Sequence, residues 1–376
     1  MVAQVMQAVK MGNINTKNIS GKTMRSDLFK MLTVILFWIC FVSCAKNATS
    51  NMTDDIAKPE IMYISYADSP VRKQTLILMD AVGDNRREIY TTNRSVLWDP
   101  IFTNDGKSII FVMHVNTPDT GAALYKIDVD GKNLLRISEN KNDETNTPYK
   151  NPQPLPDGNN IVYFKRLGLR DYAIRMINIA TQEDKLLVSG FFSGVYPEIT
   201  GDGEWIVFWE DSDLYKYHIM SGDKYKLTNG NAFAERFNLN KRTNDIVYRS
   251  YNPHVPGEMN ISKINLDGSN YIKYDFSGQY PKLSHDGARL LFMAVADDKP
   301  SIWMANLDGS NVKVVLSHYT WDELVQFYPT GDRILFVRSE TDQALFSYDI
   351  NGNVLKQLTP FDYYPGNRAQ FRPSLQ

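Results

Sequence analysis

Short runs of β-branched and aromatic residues recur along this chain, all but one preceded by a polar turn carrying Asp and Gly. The runs are Ser108-Ile109-Ile110-Phe111-Val112, Ile161-Val162-Tyr163-Phe164, Trp205-Ile206-Val207-Phe208, Ile246-Val247-Tyr248, Leu290-Leu291-Phe292 and Ile334-Leu335-Phe336-Val337. The turns before them include Thr103-Asn104-Asp105-Gly106, Leu155-Pro156-Asp157-Gly158, Thr200-Gly201-Asp202-Gly203 and Ser284-His285-Asp286-Gly287, with Pro329-Thr330-Gly331-Asp332 as a variant. Such runs are too short for helices and suit strands. A second strand follows each run, as in Leu124–Asp128 or Ile302–Asn306, and ends in another tight turn: Asp130-Gly131, Ser221-Gly222, Asp267-Gly268, Asp308-Gly309 or Asn351-Gly352. These pairs supply the positive φ that two-residue hairpins demand. A last strand, such as Asn133–Ile137 or Val354–Leu358, closes the unit.

The aspartates at 105, 157, 202, 286 and 332 are separated by 52, 45, 84 and 46 residues, and 84 is twice 42. The skipped copy falls at Leu239–Thr243, where Asn240-Lys241-Arg242 replaces the motif. Each unit therefore reads as a four-stranded antiparallel meander, and stacking such units radially buries both faces of each. A two-sheet sandwich would not require the same unit so many times. The expected fold is all-β, a β-propeller of seven blades, with six as the alternative. Ile61–Tyr90 supplies only three strands and lacks an innermost one, whereas Arg368–Pro373 reads as an innermost strand with no blade after it. Joining the two ends closes the ring and removes exposed strand edges.

Composition narrows the function classes. The 41 basic and 43 acidic residues nearly cancel, which argues against a general nucleic-acid binder. Two cysteines exclude a disulfide framework, and five histidines leave little material for a His-rich metal site. The N-terminal region has a different character. After Met24, Arg25 and Lys30 form a positive segment, and Met31–Val42 is an apolar stretch of signal-peptide length, short of the roughly 20 residues of a transmembrane helix. It ends in Phe41-Val42-Ser43-Cys44-Ala45, which resembles a bacterial lipobox and implies lipidation at Cys44. Cleavage after Ala45, giving a secreted protein, and an uncleaved anchor are the alternatives. The expected organisation is an extension and signal over 1–44, a flexible tether over 45–60 and one propeller domain over 61–376. The expected location is the bacterial cell envelope, lipid-anchored and most simply at the outer membrane.

The pattern Tyr/Asn-Pro-x-apolar, then x-x-Asp-Gly, then apolar-x-Phe resembles the TolB-like propeller repeat over Ile61–Pro373. Similar repeats occur in the propellers of dipeptidyl-peptidase and prolyl-oligopeptidase enzymes and in oligogalacturonate lyases. The resemblance implies fold more than function. No copy here carries the full Ser-Pro-Asp-Gly, the fifth blade has lost Asp-Gly, and seven blades exceed the six expected of TolB itself.

Searches for chemistry are mostly negative. A peptidase needs Gly-x-Ser-x-Gly, and Gly190-Phe191-Phe192-Ser193-Gly194 has the wrong spacing. A lyase on this fold needs converging histidines. His114, His254 and His318 follow strands, while His218 and His285 sit at structural positions, and no ligand spacing links them. Asp128-Val129-Asp130-Gly131 places glycine at position four of a would-be calcium loop, where six is required, and reads as hairpin chemistry. No metal or other cofactor is expected.

Strand order puts the Asp-Gly turns on one face and the longer connections on the other, where function concentrates. Trp98, Tyr149, Phe191, Phe192, Tyr319 and Trp321 are the candidate binding residues of that face; Tyr196 and Tyr280, each just before Pro, read as repeat core. On the innermost strands stand Ile101, Gln153, Glu198, Arg236, Lys282, Gln326 and Gln370, six of the seven polar or charged and placed to line the axial channel. The expected function is non-enzymatic binding of an envelope protein or peptide through the aromatic face. A glycan-binding or glycan-cleaving propeller is the alternative, and a bare scaffold subunit is a third reading.

Overall fold

The computed structural model describes residues 59–67, 73–93, 95–117, 120–138, 149–168, 171–191, 196–230, 232–251, 259–317, 325–339, 343–360 and 369–373. The signal-like segment and Cys44 lie outside them. The described strands form seven four-stranded antiparallel sheets, and the fold is a seven-bladed propeller. From the axis outward, blade 1 is Gln370–Phe371, Glu60–Ala67, Lys73–Asp80 and Arg87–Thr92. Blade 2 is Ser95–Phe102, Ser108–Thr117, Thr120–Asp128 and Leu135–Arg136, and blade 3 is Tyr149–Pro154, Asn160–Gly168, Asp171–Asn178 and Asp184–Phe191. Blade 4 is Glu198–Ile199, Trp205–Glu210, Asp213–His218 and Lys224–Lys226, and blade 5 is Ala232–Leu239, Asp245–Tyr251, Met259–Asn265 and Ile272–Ser277. Blade 6 is Gln279–Leu283, Arg289–Ala296, Lys299–Asn306 and Lys313–Ser317, and blade 7 is Val325–Phe327, Arg333–Ser339, Gln343–Asp349 and Val354–Gln357.

The second strand of every blade reads as an unbroken apolar run because both of its faces are buried. Successive side chains point to opposite faces of a strand. Ile109 and Phe111 accordingly pack against blade 1, and Ile110 and Val112 against blade 3. Tyr163 and Phe164 divide in the same way between blades 2 and 4. The core is thus seven separate apolar layers, one at each blade junction. The outermost strands are the edges of the assembly, and each carries Lys or Arg: Arg87, Arg136, Lys185, Lys224, Lys273, Lys313 and Lys356. Charged edges resist pairing with a second chain.

The ring closes as the unpaired ends implied. Gln370 and Phe371 pair with Met62 and Ile61, so the last strand completes the first blade. Two residue pairs are a short seam, and other contacts reinforce it. Arg372 N donates to Glu60 O at 2.8 Å. The Glu60 carboxylate accepts from Arg87 Nη2 at 2.6 Å and from Arg372. Arg372 Nε also donates to Gly106 O of blade 2 at 2.7 Å. On the other side, the Tyr328 hydroxyl of blade 7 donates to Ala81 O at 2.9 Å, and its burial pushes the phenol up to about 12. Tyr328 also packs against the Phe371 ring, 4.6 Å between centroids.

In blade 5 the missing Asp-Gly is replaced without change of span. Asn240 Oδ1 accepts from the Arg242 and Thr243 amides, as the turn aspartates do elsewhere, and the positive φ moves to Asn244 at 60°. The neighbouring turn of blade 4 must be glycine at 201, because a Cβ there would collide with the Lys241 carbonyl. Gly201→Ala is therefore expected to destabilise the protein by about 1–3 kcal/mol, the usual cost of overpacking; a denaturant midpoint equal to wild type would refute the close approach.

Burial would raise the Glu60 pKa, but the hydrogen bonds and charges of Arg87 and Arg372 outweigh it and hold the carboxyl below its ordinary value. The stability this contributes is complete above the unfolded glutamate value, about 4.3, and is lost as pH falls through the lower folded value. Glu60→Gln should lower Tm at pH 7 by about 2–6 °C, with the deficit shrinking as pH falls below 4; thermal melts across pH 3–7 measure it.

Candidate functional site

In a blade whose strands run outward in order, the connection between the first two strands and that between the last two fall at the same end of the ring. The remaining connections fall at the opposite end. The Asp-Gly turns occupy the first end. At the second end the innermost strands of three blades are distorted. Register shifts follow Trp98 in blade 2, Lys150 in blade 3 and Gln279 in blade 6. Within them Asp99, Asn151 and Tyr280 adopt φ of 47°, 48° and 55°, each immediately before a proline. Asp and Asn tolerate positive φ, whereas for a tyrosine it is an outlier. Bulges of this kind re-aim side chains and recur beside functional sites.

These bulges support a polar relay around the mouth of the channel. The Asn151 amide donates to Asp99 Oδ2 at 2.9 Å, linking blade 3 to blade 2. Asn151 Nδ2 donates to Pro197 O of blade 4 at 2.9 Å. Gln153 Nε2 donates to Asn151 Oδ1 at 3.3 Å.

Further in, the axial positions repeat the theme. Glu198 Oε2 accepts from Leu239 N of blade 5 at 3.0 Å, Asn238 Oδ1 accepts from Leu283 N of blade 6 at 2.9 Å, and Gln326 Nε2 donates to Ala369 O of blade 1 at 2.9 Å. These side chains bind each blade to the next. Lys282 and Gln370 hold the equivalent positions, opposite Leu291 and Met62, and both are partly buried.

Two sequence expectations are corrected by this geometry. Arg236, whose side chain lies outside the described set, does not hold the register position that the axial residues of the other blades share. Asn238 does, because it pairs with Val247 as Glu198 pairs with Val207 and Gln153 with Val162. Blade 5 has no Asp-Gly to count back from, and a count from Asn240 falls two residues early. Phe191 is not an exposed anchor. It ends the outermost strand of blade 3 with its ring buried, edge-on to Phe208 at 5.5 Å, inside the layer between blades 3 and 4.

Trp98 is half-buried against the layer between blades 2 and 3, its ring 6.0 Å from that of His114. Tyr149 opens the innermost strand of blade 3, opposite Lys165, and its side chain lies outside the described set. Phe192, Tyr319 and Trp321 lie outside the described residues.

Among the described residues the histidines form no metal-holding group. His218 Nδ1 accepts from Ser221 N at 3.1 Å, capping its own hairpin. His254 and His318 lie outside the described residues, and among the described residues no three His, Cys, Asp or Glu side chains are grouped to hold a metal ion. The loop at Asp128–Gly131 is a hairpin turn: Asp128 Oδ2 accepts from Asn133 Nδ2 at 2.7 Å and Asp130 Oδ1 from Lys132 N at 3.0 Å.

No family model matches this chain, and no curated protein matches it. Solved structures do. TolB from Acinetobacter baumannii aligns over 84% of this chain and 66% of its own, at 14% identity and a TM-score of 0.52. Oligogalacturonate lyase from Vibrio parahaemolyticus aligns over 78% of this chain and 98% of its own, at 11% identity and 0.59. The β-propeller domain of the Trilobed protease from Pyrococcus furiosus, described as having an open velcro topology, aligns over 82% and 98%, at 13% and 0.58. TolB, a lyase and a protease domain share this fold, so the likeness concerns architecture and leaves activity to the site.

Phe191→Ala should destabilise the protein by about 3–5 kcal/mol, the range for a buried phenylalanine. A chemical-denaturation midpoint unchanged from wild type would return Phe191 to the surface.

Proposed function

We propose that this protein is a lipid-anchored adaptor of the bacterial cell envelope, tethered through Cys44, whose propeller binds a protein or peptide at the end of the ring that carries the long connections. The observation that carries this reading is the convergence of strained inner-strand bulges, at Asp99, Asn151 and Tyr280, with the aromatic-rich connections at one end of a rigid ring. Strained backbone positions cluster at recognition sites. The scaffold beneath is held by hydrogen bonds from blade to blade, so the mouth is preorganised and little ordering entropy is lost on binding. Trp321, Tyr319 and Phe192 supply the aromatic anchors on which affinity at such surfaces concentrates. Recognition involves no covalent step.

The test is crosslinking in intact envelopes, wild type against a variant with Phe192, Tyr319 and Trp321 changed to alanine. A specific protein captured by the wild type and reduced at least tenfold in the variant, at equal expression, is the expected outcome. Capture that is indifferent to these substitutions would overturn the face assignment. Absence of any captured protein, with binding instead to a glycan panel, would favour the glycan-binding alternative.

A further inference from the structure

The chain contains two Asn-Gly pairs, Asn229-Gly230 and Asn351-Gly352. The first follows the outermost strand of blade 4, and the second lies in the outer hairpin of blade 7. Both asparagines are exposed to water. Asparagine is chemically labile, and most so before glycine, where no side chain shields the next backbone nitrogen. That nitrogen attacks the asparagine side-chain carbonyl carbon. The new N–C bond closes a succinimide ring, and the side-chain nitrogen leaves as ammonia with the proton that the glycine amide gives up. Water then opens the ring to aspartate or isoaspartate. Water is the one co-reactant.

In both pairs the attacking nitrogen is already held by an aspartate. Gly352 N donates to Asp349 Oδ1 at 2.7 Å, and the same oxygen accepts from Asn351 N at 2.9 Å. Gly230 N donates to Asp213 Oδ1, and that carboxylate also accepts from the Thr228 hydroxyl at 2.8 Å and from Lys226 Nζ at 2.6 Å. The positive φ of the blade 7 hairpin falls at Asn353, 53°, and not at Gly352, so the Asp349 side chain sets this turn. Blade 3 builds its outer hairpin in the same way. Asn178 Oδ1 accepts from Ala180 N and Thr181 N, each at 3.0 Å, with Gln182 at φ 60°.

An aspartate in this place opposes the reaction twice. Its negative charge disfavours loss of the proton from the nitrogen beside it. It also fixes the backbone, because the Asn351 and Gly352 amides share one oxygen and the segment between them cannot turn toward attack without breaking both bonds. The two holds are unequal. Asp213 is 3% exposed and has two further donors, whereas Asp349 is half-buried beneath an exposed hairpin tip where water competes for its oxygen. We infer that Asp213 and Asp349 restrain deamidation at the two Asn-Gly bonds of this chain, and that Asn351 is the modification site where the reaction proceeds first. The product adds one negative charge to the outer hairpin of blade 7 and, as isoaspartate, one atom to its main chain. The reaction is independent of whatever the long-connection end binds.

The test follows the amide-to-acid mass change at Asn351 and Asn229 by peptide mapping of the full-length folded protein, incubated at mildly alkaline pH. A synthetic peptide spanning Ser347–Lys356 is incubated alongside; it contains Asp349, so neighbouring-residue effects cancel. In the folded wild type Asn351 is expected to react about tenfold more slowly than in the peptide, because a hydrogen bond to a charged group must first be given up, and faster than Asn229. Asp349→Ala should raise the Asn351 rate about tenfold and leave Asn229 unchanged. Asp349→Asn keeps the turn, as Asn178 does in blade 3, and removes the charge; it should raise the rate by less, which separates release of the amide from melting of the hairpin. Equal rates in folded protein and peptide would overturn the restraint, as would an Asn351 rate unchanged in both variants. Earlier reaction at Asn229 would overturn the assignment of the site.

Discussion

Every blade of this protein needs two neighbours. Its second strand is apolar on both faces, so an isolated four-stranded sheet would leave half its core in water. The seven apolar layers between blades satisfy that need only if the first blade meets the last. Ring closure is thus the constraint on which the rest depends, and it rests on a two-residue strand, Gln370–Phe371. So short a seam is held by side chains: Glu60 between Arg87 and Arg372, and Tyr328 reaching across to Ala81. These contacts tie the two termini of the folded domain to blades 1, 2 and 7 together, which makes the opening of the ring cooperative with loss of the core.

The same demand explains the chemistry of the axis. Innermost strands cannot approach one another closely enough to share backbone hydrogen bonds, so side chains span the gap. Asp99, Asn151, Glu198, Asn238 and Gln326 each reach the backbone of an adjacent blade. A polar channel lining is therefore chiefly structural, and binding capacity is to be sought where this network is distorted or leaves a group unmatched. The distorted places are the bulges at one mouth.

Much of this was legible in the chain. The blade count, the strand order and the closure of the last strand onto the first follow from repeated turns and apolar runs, because hairpin turns are chosen by local backbone geometry and buried strands by local composition. Two errors show the limit of that reading. Phe191 belongs to no repeat position and looked free, yet the strand before it runs on to bring it beside Phe208. Arg236 was counted from a turn motif that blade 5 lacks; only the pairing with Val247 shows that Asn238 faces the axis.

The architecture is written locally in the chain, since each element is specified by residues within it: glycine or asparagine where φ must be positive, alternating burial where two faces are covered. Which polar residues are engaged and which remain available emerges when the blades assemble. That distinction depends on groups some forty residues apart, as Glu198 is from Leu239 and Asn238 from Leu283. Local pattern carries no record of whether a side chain's hydrogen-bonding capacity is met by a neighbouring blade, because the neighbour arrives only when the ring closes.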